Sequence, residues 1–250
     1  MCNYKPCVTL KAADPRVAYQ VAVAENGDNA LPGGISIRAV AMHKQLWAGG
    51  RVLTIAFLGR PSEPLKEAVR VLIREWEPYV NLSFDFIEGN NADIKIQTNA
   101  DQNGSLIGTD ALTIKAGQPT MLIKAMPGDF DFRTVVLHEF GHALGLHHEH
   151  LHLDANIPWN KEKVYEEYAT KYGMSKEEVD VNLLNPLSID DILVGVYDTT
   201  SIMHYPVEKE LTNGVFEVPM NTDISSEDKR VIQLLYPIAH SHYDGSCEHP

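Results

Sequence analysis

Residues 138–148 read His138-Glu139-Phe140-Gly141-His142-Ala143-Leu144-Gly145-Leu146-His147-His148. Histidine is the commonest neutral metal ligand, and a carboxylate beside such ligands can serve as a base toward water. On a helix, His138 and His142 stand one turn apart on the same face, able to grip one ion. Glu139 is one residue round from His138, so it points beside the metal rather than at it, which suits a base acting on water there.

The third ligand requires the helix to end. Were it to continue, His148 would be rotated by about 240° from His142 and lie roughly 9 Å further along the axis, out of reach of the same ion. Gly145 sits where the break is needed, and glycine accepts the positive φ of a sharp helix exit. His148 is therefore the predicted third ligand, with His147 as its competitor. By chance, the His-Glu-x-x-His core with glycine at +7 and histidine at +10 would occur in on the order of one chain in a hundred thousand of this length. Three neutral imidazoles leave a fourth zinc position for water, as catalytic rather than structural sites do.

This run resembles the long zinc-binding motif of the metzincin metalloproteases. Ser201-Ile202-Met203-His204-Tyr205 resembles their Met-turn, and tyrosine two residues after the methionine is the astacin and serralysin form. The resemblance implies that Met203 lies beneath the metal site. It implies that Tyr205 is an additional zinc ligand at rest and an oxyanion donor in the reaction; read by itself, Tyr205 is a buried tyrosine with a bonded hydroxyl. Glu149 after the third histidine, and Gln45-Leu46-Trp47-Ala48-Gly49-Gly50, look like astacins. The likeness spans roughly residues 45–237. Leu146 replaces the usual phenylalanine, His150-Leu151-His152-Leu153-Asp154 replaces an Arg- and Asp-rich stretch, and neither the core disulfides of animal astacins nor calcium repeats of serralysin type are present. The chain thus reads as a divergent astacin-like enzyme.

The elements that must position these residues are legible in part. Arg51–Leu58 reads as a strand closed by Gly59. Leu65, Ala68, Val69, Leu72, Ile73 and Trp76 form one apolar stripe of a helix capped by Ser62 and stopped by Pro78. Leu82, Phe84 and Phe86, then Ile94 and Ile96, alternate as strands do, and residues 120–124 form a short buried strand. Helix returns from Asp131 to Leu144. Asn160 caps a helix over Lys161–Tyr172 ended by Gly173, Ser175 opens a capping box, and Ser225 caps a last helix with Val231, Leu234 and Leu235 inward. The predicted fold class is α+β: a metzincin-type two-lobe catalytic domain with a twisted N-terminal sheet, a zinc-binding active-site helix and an irregular helical C-terminal lobe. The predicted domains are a loosely patterned, pro-segment-like leader over 1–45, a catalytic domain over 46–240 divided near residue 150, and a tail over 241–250.

Composition narrows the partners. Of 250 residues, 44% are hydrophobic, enough for a core without disulfide staples. A net charge of −13 argues against nucleic acid and anionic membranes, which require a basic face. No apolar run approaches the roughly 18 residues that span a bilayer. Met1–Cys7 lacks a signal-type stretch. An exported chain is expected, with any leader peptide removed or dispensable, and an intracellular one remains an alternative. The three cysteines, Cys2, Cys7 and Cys247, have no metal-ligand spacing and read as peripheral thiols of no mechanistic weight. The alternating His148, His150 and His152 would point one way from an extended segment, as hydrogen-bonded histidines rather than a second metal site, and His204 reads as structural. Asn26-Gly27-Asp28-Asn29 reads as a turn. By resemblance to astacin proenzymes, Asp28 of the Gly27-Asp28 pair could instead block the zinc, with a Cys2 or Cys7 thiolate as the weaker candidate; either predicts that deleting residues 1–40 raises activity.

The expected protein is a zinc endopeptidase acting on a protein or peptide substrate, with His138, His142 and His148 on Zn²⁺, Glu139 as base and Tyr205 as oxyanion donor. The alternatives are a zinc hydrolase of a non-protein amide or ester, and a catalytically silent zinc-bearing binding module. Specificity, biological target and oligomeric state are not encoded in these motifs.

Overall fold

The β-branched and aromatic runs of the first half pair into one mixed sheet, and the periodic segments pack on it as helices. The computed structural model describes residues 7–30, 44–186 and 195–238. The strands are β1 (Val8–Thr9), β2 (Val52–Leu58), β3 (Ser83–Phe86), β4 (Ile94–Thr98), β5 (Gly104–Ser105) and β6 (Met121–Ile123). Their order across the sheet is β1-β5-β6-β4-β2-β3. β2 runs parallel to β3 and β4, and β4 parallel to β6. β5 is antiparallel to β6, while the edge strand β1 is parallel to β5.

Six described α-helices accompany the sheet: α1 (Pro15–Glu25), α2 (Glu63–Ile73), α3 (Phe132–Ala143), α4 (Lys161–Tyr172), α5 (Lys176–Val179) and α6 (Ser226–Leu235). The main core joins Leu53, Ile55 and Ile96 of the sheet to Ile73 of α2 and Val136 and Phe140 of α3. A smaller core gathers Val164 and Tyr168 of α4 with Val179 and Leu183, and it includes Cys7 and Tyr205. Few regular strand contacts occur after α3; one isolated bridge, Val207 with Val218, is described there. The architecture is the expected α+β class, with helix over sheet first and an irregular helical part after.

Several local signals act as their chemistry requires. Asn160 caps α4 by accepting from the Lys163 amide, and Gly173 ends it in the left-handed region. Ser175 and Glu178 form the capping box of α5. The helix expected up to Pro78 instead leaves the α-conformation at Ile73 and continues as a 3₁₀ segment over Arg74–Tyr79. Pro78 has no amide to bond four residues back, so an α-helical turn through it is not sustained. Leu234 is 53% exposed rather than inward; Ile232, one turn from Asp228, takes the buried position in α6.

The leader is more ordered than its sparse patterning suggests. It supplies β1, the helix α1 and a 3₁₀ turn over Gly27–Asn29. Asp14 caps α1 by accepting from the Arg16 amide, a proline opens the helix, and Ala18 and Ala22 are buried one turn apart. Two small alanines make too weak an apolar stripe to stand out in the sequence. The rest of the leader over 31–43 and the tail over 241–250 lie outside the described residues.

Candidate active site

The helix α3 ends at Ala143, and the chain reverses in a Schellman turn: the Gly145 amide donates to the His142 carbonyl at 2.8 Å and the Leu146 amide to the Gly141 carbonyl at 3.0 Å. Gly145 has a φ of +101°, and a β-carbon there would lie 2.9 Å from Leu46 Cδ2. This reversal carries His148 back to the two helical histidines. The ring centroids of His138 and His142 are 4.7 Å apart, those of His138 and His148 5.1 Å, and those of His142 and His148 4.5 Å. His147 is not a member of the metal-capable group that contains His148.

The ring orientations are set from behind. His138 Nδ1 donates to the Ile202 carbonyl at 2.8 Å, and His142 Nδ1 to the Leu146 carbonyl at 2.7 Å. Each bond leaves Nε2 as a lone-pair atom directed inward. The buried His138 Nε2 has no hydrogen-bond partner among the described residues, and His142 Nε2 lies 3.0 Å from His148 Nε2. Burial pushes His138 down to about 4 and carries His142 and His148 well below the usual imidazole range, so all three rings are neutral. An orphaned lone pair among converging neutral nitrogens is the donor set that zinc accepts.

Glu139 is fully buried, and burial raises its carboxyl to about 8. Its Oε2 accepts from the Cys7 thiol at 3.2 Å, while Oε1 is without a partner among the described residues. Tyr205 is buried with its ring 4.4 Å from that of His148, and its hydroxyl donates to the backbone carbonyl of Cys7.

The Met203 sulfur sits against Gly141 of α3, between His138 and His142 in sequence. Its loop is clamped by Asp228 of α6: Oδ1 accepts from the Ser201 hydroxyl at 2.6 Å, and Oδ2 from the Ile202 amide at 2.8 Å and the Ser225 amide at 2.9 Å. The same Ile202 offers its carbonyl to His138, so the cap of α6 and the ring of a candidate ligand share one peptide. Gly141 and Asp228 were not evident as site residues from the sequence. The Ser225-x-x-Asp228 spacing signals a helix cap, but nothing in it signals the Met-turn.

One expectation needs correction, and two alternatives left open by the sequence are decided. Cys7 is not peripheral: it is buried, and its sulfur forms one candidate metal group with His138, His142 and His148, the ligand atoms all within 4.8 Å of one another. Chain folding across 132 residues places it there, a separation no local ligand spacing can reveal. Asp28 is exposed in the 3₁₀ turn rather than at the metal group. Glu149–Leu151 is a 3₁₀ turn, not an extended segment, so His148, His150 and His152 do not alternate on one face. His150 instead stacks on Tyr205 with centroids 4.3 Å apart, and its Nε2 donates to the Asn182 carbonyl at 3.1 Å. His152 stacks near Tyr197, 6.2 Å away. His204 has the expected structural contacts, 2.6 Å from the Tyr205 carbonyl and 2.8 Å from the Tyr197 hydroxyl. Cys2 and Cys247 lie outside the described residues.

A broken helix presenting converging imidazoles and a buried carboxylate, above a methionine turn and beside a mixed sheet, defines a zinc metallopeptidase of the metzincin type. Residues 39–231 match the family model for astacin, peptidase family M12A, and the chain belongs to that family. It is a zinc metalloendopeptidase. It is similar to a solved structure of myroilysin at 36% identity and a TM-score of 0.74, covering 78% of this chain and 97% of that one. A crystal structure of myroilysin is similar at 32% identity and a TM-score of 0.59, over 93% of this chain and 100% of that one. The fold also matches high choriolytic enzyme 1, a hatching enzyme zinc-protease from the medaka fish Oryzias latipes, at 19% identity and a TM-score of 0.55, over 78% of this chain and 96% of that one. Among curated proteins no match is found.

Proposed function

We propose that this chain hydrolyses internal peptide bonds of protein or peptide substrates, with His138, His142 and His148 holding zinc, Glu139 as general base and Tyr205 as oxyanion donor. The observation that carries the reading is the convergence of three neutral imidazoles beside the buried Glu139. Zinc, when bound, supplies a Lewis acid that acidifies water and polarises a carbonyl. Glu139 Oε1 accepts the proton of the attacking water, and the carboxyl then passes it to the leaving amine. The Tyr205 hydroxyl already donates to a peptide carbonyl, that of Cys7. The same hydroxyl donates to the scissile carbonyl oxygen as negative charge develops on it. Met203 supports the ligands from below, and Gly145 turns the chain so that His148 reaches them.

The catalytic domain extends over 46–240, divided near residue 150, with 1–45 as a pro-segment-like leader. The acidic charge disfavours nucleic acid as a partner, and no described helix is long and apolar enough to cross a membrane. An exported enzyme suits this reading.

Because the Cys7 thiol stands beside Glu139, the full chain and its Cys7→Ser variant are both assayed on casein and a peptide library, with bound zinc counted. One zinc per chain, cleavage stopped by a chelator, and a Glu139→Gln variant that keeps zinc but does not cleave are expected. A metal-free chain, or cleavage that survives chelation or the loss of Glu139, overturns the assignment. Activity confined to non-protein amides or esters would favour the other hydrolase.

A further inference from the structure

We propose that Tyr236 is a positioning residue of the metal site, which fixes the exit turn of α3 and through it the ring of His142 and the reach of His148. The proposal rests on the three-histidine reading above and adds to it a residue that ends α6. A helix leaves its last carbonyls without amide partners from its own turns. In α3 the carbonyls of Phe140, Gly141 and His142 are taken by the returning amides of Leu144, Leu146 and Gly145. The next two are taken by side chains. The Trp47 indole Nε1 donates to the Ala143 carbonyl at 2.8 Å, and the Tyr236 hydroxyl donates to the Leu144 carbonyl at 2.8 Å. The same hydroxyl accepts from the Trp47 amide at 3.2 Å, so one oxygen ties the turn to the segment entering β2. Tyr236 and Trp47 are fully buried. Breaking such bonds strands polar groups away from water, so they hold one geometry.

The turn held in this way is the one the site depends on. Gly145 follows Leu144 directly, and a β-carbon on it would lie 2.9 Å from Leu46 Cδ2, 3.5 Å from the Gln45 carbonyl oxygen and 3.7 Å from the Tyr236 hydroxyl. The turn is seated on residues 45–46 and on Tyr236. One residue further, the Leu146 carbonyl accepts from His142 Nδ1 at 2.7 Å. Moving the turn moves that acceptor, and with it the direction of His142 Nε2. It also moves the start of the segment that brings His148 to the other two rings.

His138 is supported separately. Its Nδ1 donates to the Ile202 carbonyl, and the Ile202 amide donates to Asp228 Oδ2 in the first turn of α6. The start of α6 therefore orients one helical histidine, and the residue that ends α6 orients the other. Tyr236 and Leu144 are 92 residues apart, and Tyr236 and Trp47 are 189 apart. Local spacing gives no sign of such a brace.

The test uses the full chain carrying Cys7→Ser, loaded with zinc and isotope-labelled at histidine for nuclear magnetic resonance. His138 and His142 should each give a slowly exchanging Nδ1–H signal. Tyr236→Phe removes the hydroxyl and keeps the ring. It should shift the His142 signal and speed its exchange, leave the His138 signal in place, and weaken zinc binding about tenfold or more in competition with a chelator. Ile232→Val, a smaller side chain in the same helix and the main core, controls for general destabilisation. It should lower the denaturation midpoint and leave both signals and the zinc affinity as in the parent. Trp47→Phe removes the second donor and should move the His142 signal as Tyr236→Phe does. Should Tyr236→Phe not fold, an unmoved His142 signal in Trp47→Phe overturns the proposal. An unmoved His142 signal in a folded Tyr236→Phe, equal shifts at His138 and His142, or an equal loss of zinc affinity in Ile232→Val also overturns it. A parent chain that binds no zinc overturns the three-histidine reading and this proposal with it.

Discussion

Gly141 and Met203 are packed so closely that the methionine sulfur occupies the space a β-carbon on residue 141 would need. The glycine lies inside α3, between the two helical histidines in sequence, where alanine would otherwise favour the helix by up to about 1 kcal/mol. Close approach of the Met-turn to the zinc-site helix explains why a residue with no side chain stands there. Trp76 lines the same spot, its Cζ2 3.4 Å from where that β-carbon would be.

Gly141→Ala should therefore destabilise the protein despite the helical preference of alanine. Overpacking costs about 1–3 kcal/mol, which exceeds the propensity gain. A lower denaturation midpoint, with reduced kcat from displaced ligands, is expected. A variant as stable and active as the parent would show that Met203 can move aside freely.

Tyr205→Phe should retain zinc and lose roughly two to three powers of ten in kcat, the scale of one oxyanion donor. His150 stacks on that ring and is anchored to the Asn182 carbonyl, contacts that would position the proposed oxyanion donor. His150→Ala should lower kcat with little change in KM, while His150→Phe recovers part of the loss by restoring a stacking ring. In the Tyr205→Phe background, His150→Ala should have little further effect, because both act through one hydroxyl. Additive losses in that cycle would mean His150 acts independently of Tyr205.

Asp228→Ala removes the acceptor of three hydrogen bonds inside the Met-turn and the cap of α6. Hydrogen bonds to a charged group contribute about 1.5–3 kcal/mol each, with partial relaxation after loss. Destabilisation of about 3 kcal/mol in denaturant unfolding is expected, with weaker zinc retention because Ile202 also orients His138. Unaltered zinc retention would separate the cap from the metal site.

Asp110 is buried, and desolvation raises its carboxyl to about 6 from 3.8. Between these values the unfolded chain has released this proton and the folded chain retains it. The group's contribution is therefore fully present below pH 3.8 and is lost as pH rises through about 6. Asp110→Asn, neutral throughout, should stabilise the protein at pH 7 by on the order of 1–3 kcal/mol and flatten the midpoint against pH over that window. A midpoint curve parallel to the parent's would remove Asp110 as the source.

Local chemistry made much of this enzyme readable from its residues. The four-residue histidine spacing, the glycine that must reverse the chain, and the caps at Asn160, Ser175 and Ser225 depend on helix geometry and on φ, which neighbouring residues control. The arrival of Cys7 at the histidines, the packing of Met203 on Gly141 and the bonds from Asp228 to the Met-turn were not legible in this way. Each joins groups far apart in sequence, and their meeting follows from how β1, α3 and α6 are brought together. Hydrogen bonding and ligation act over a few ångströms, so a cysteine's chemistry depends on neighbours supplied by the folded chain.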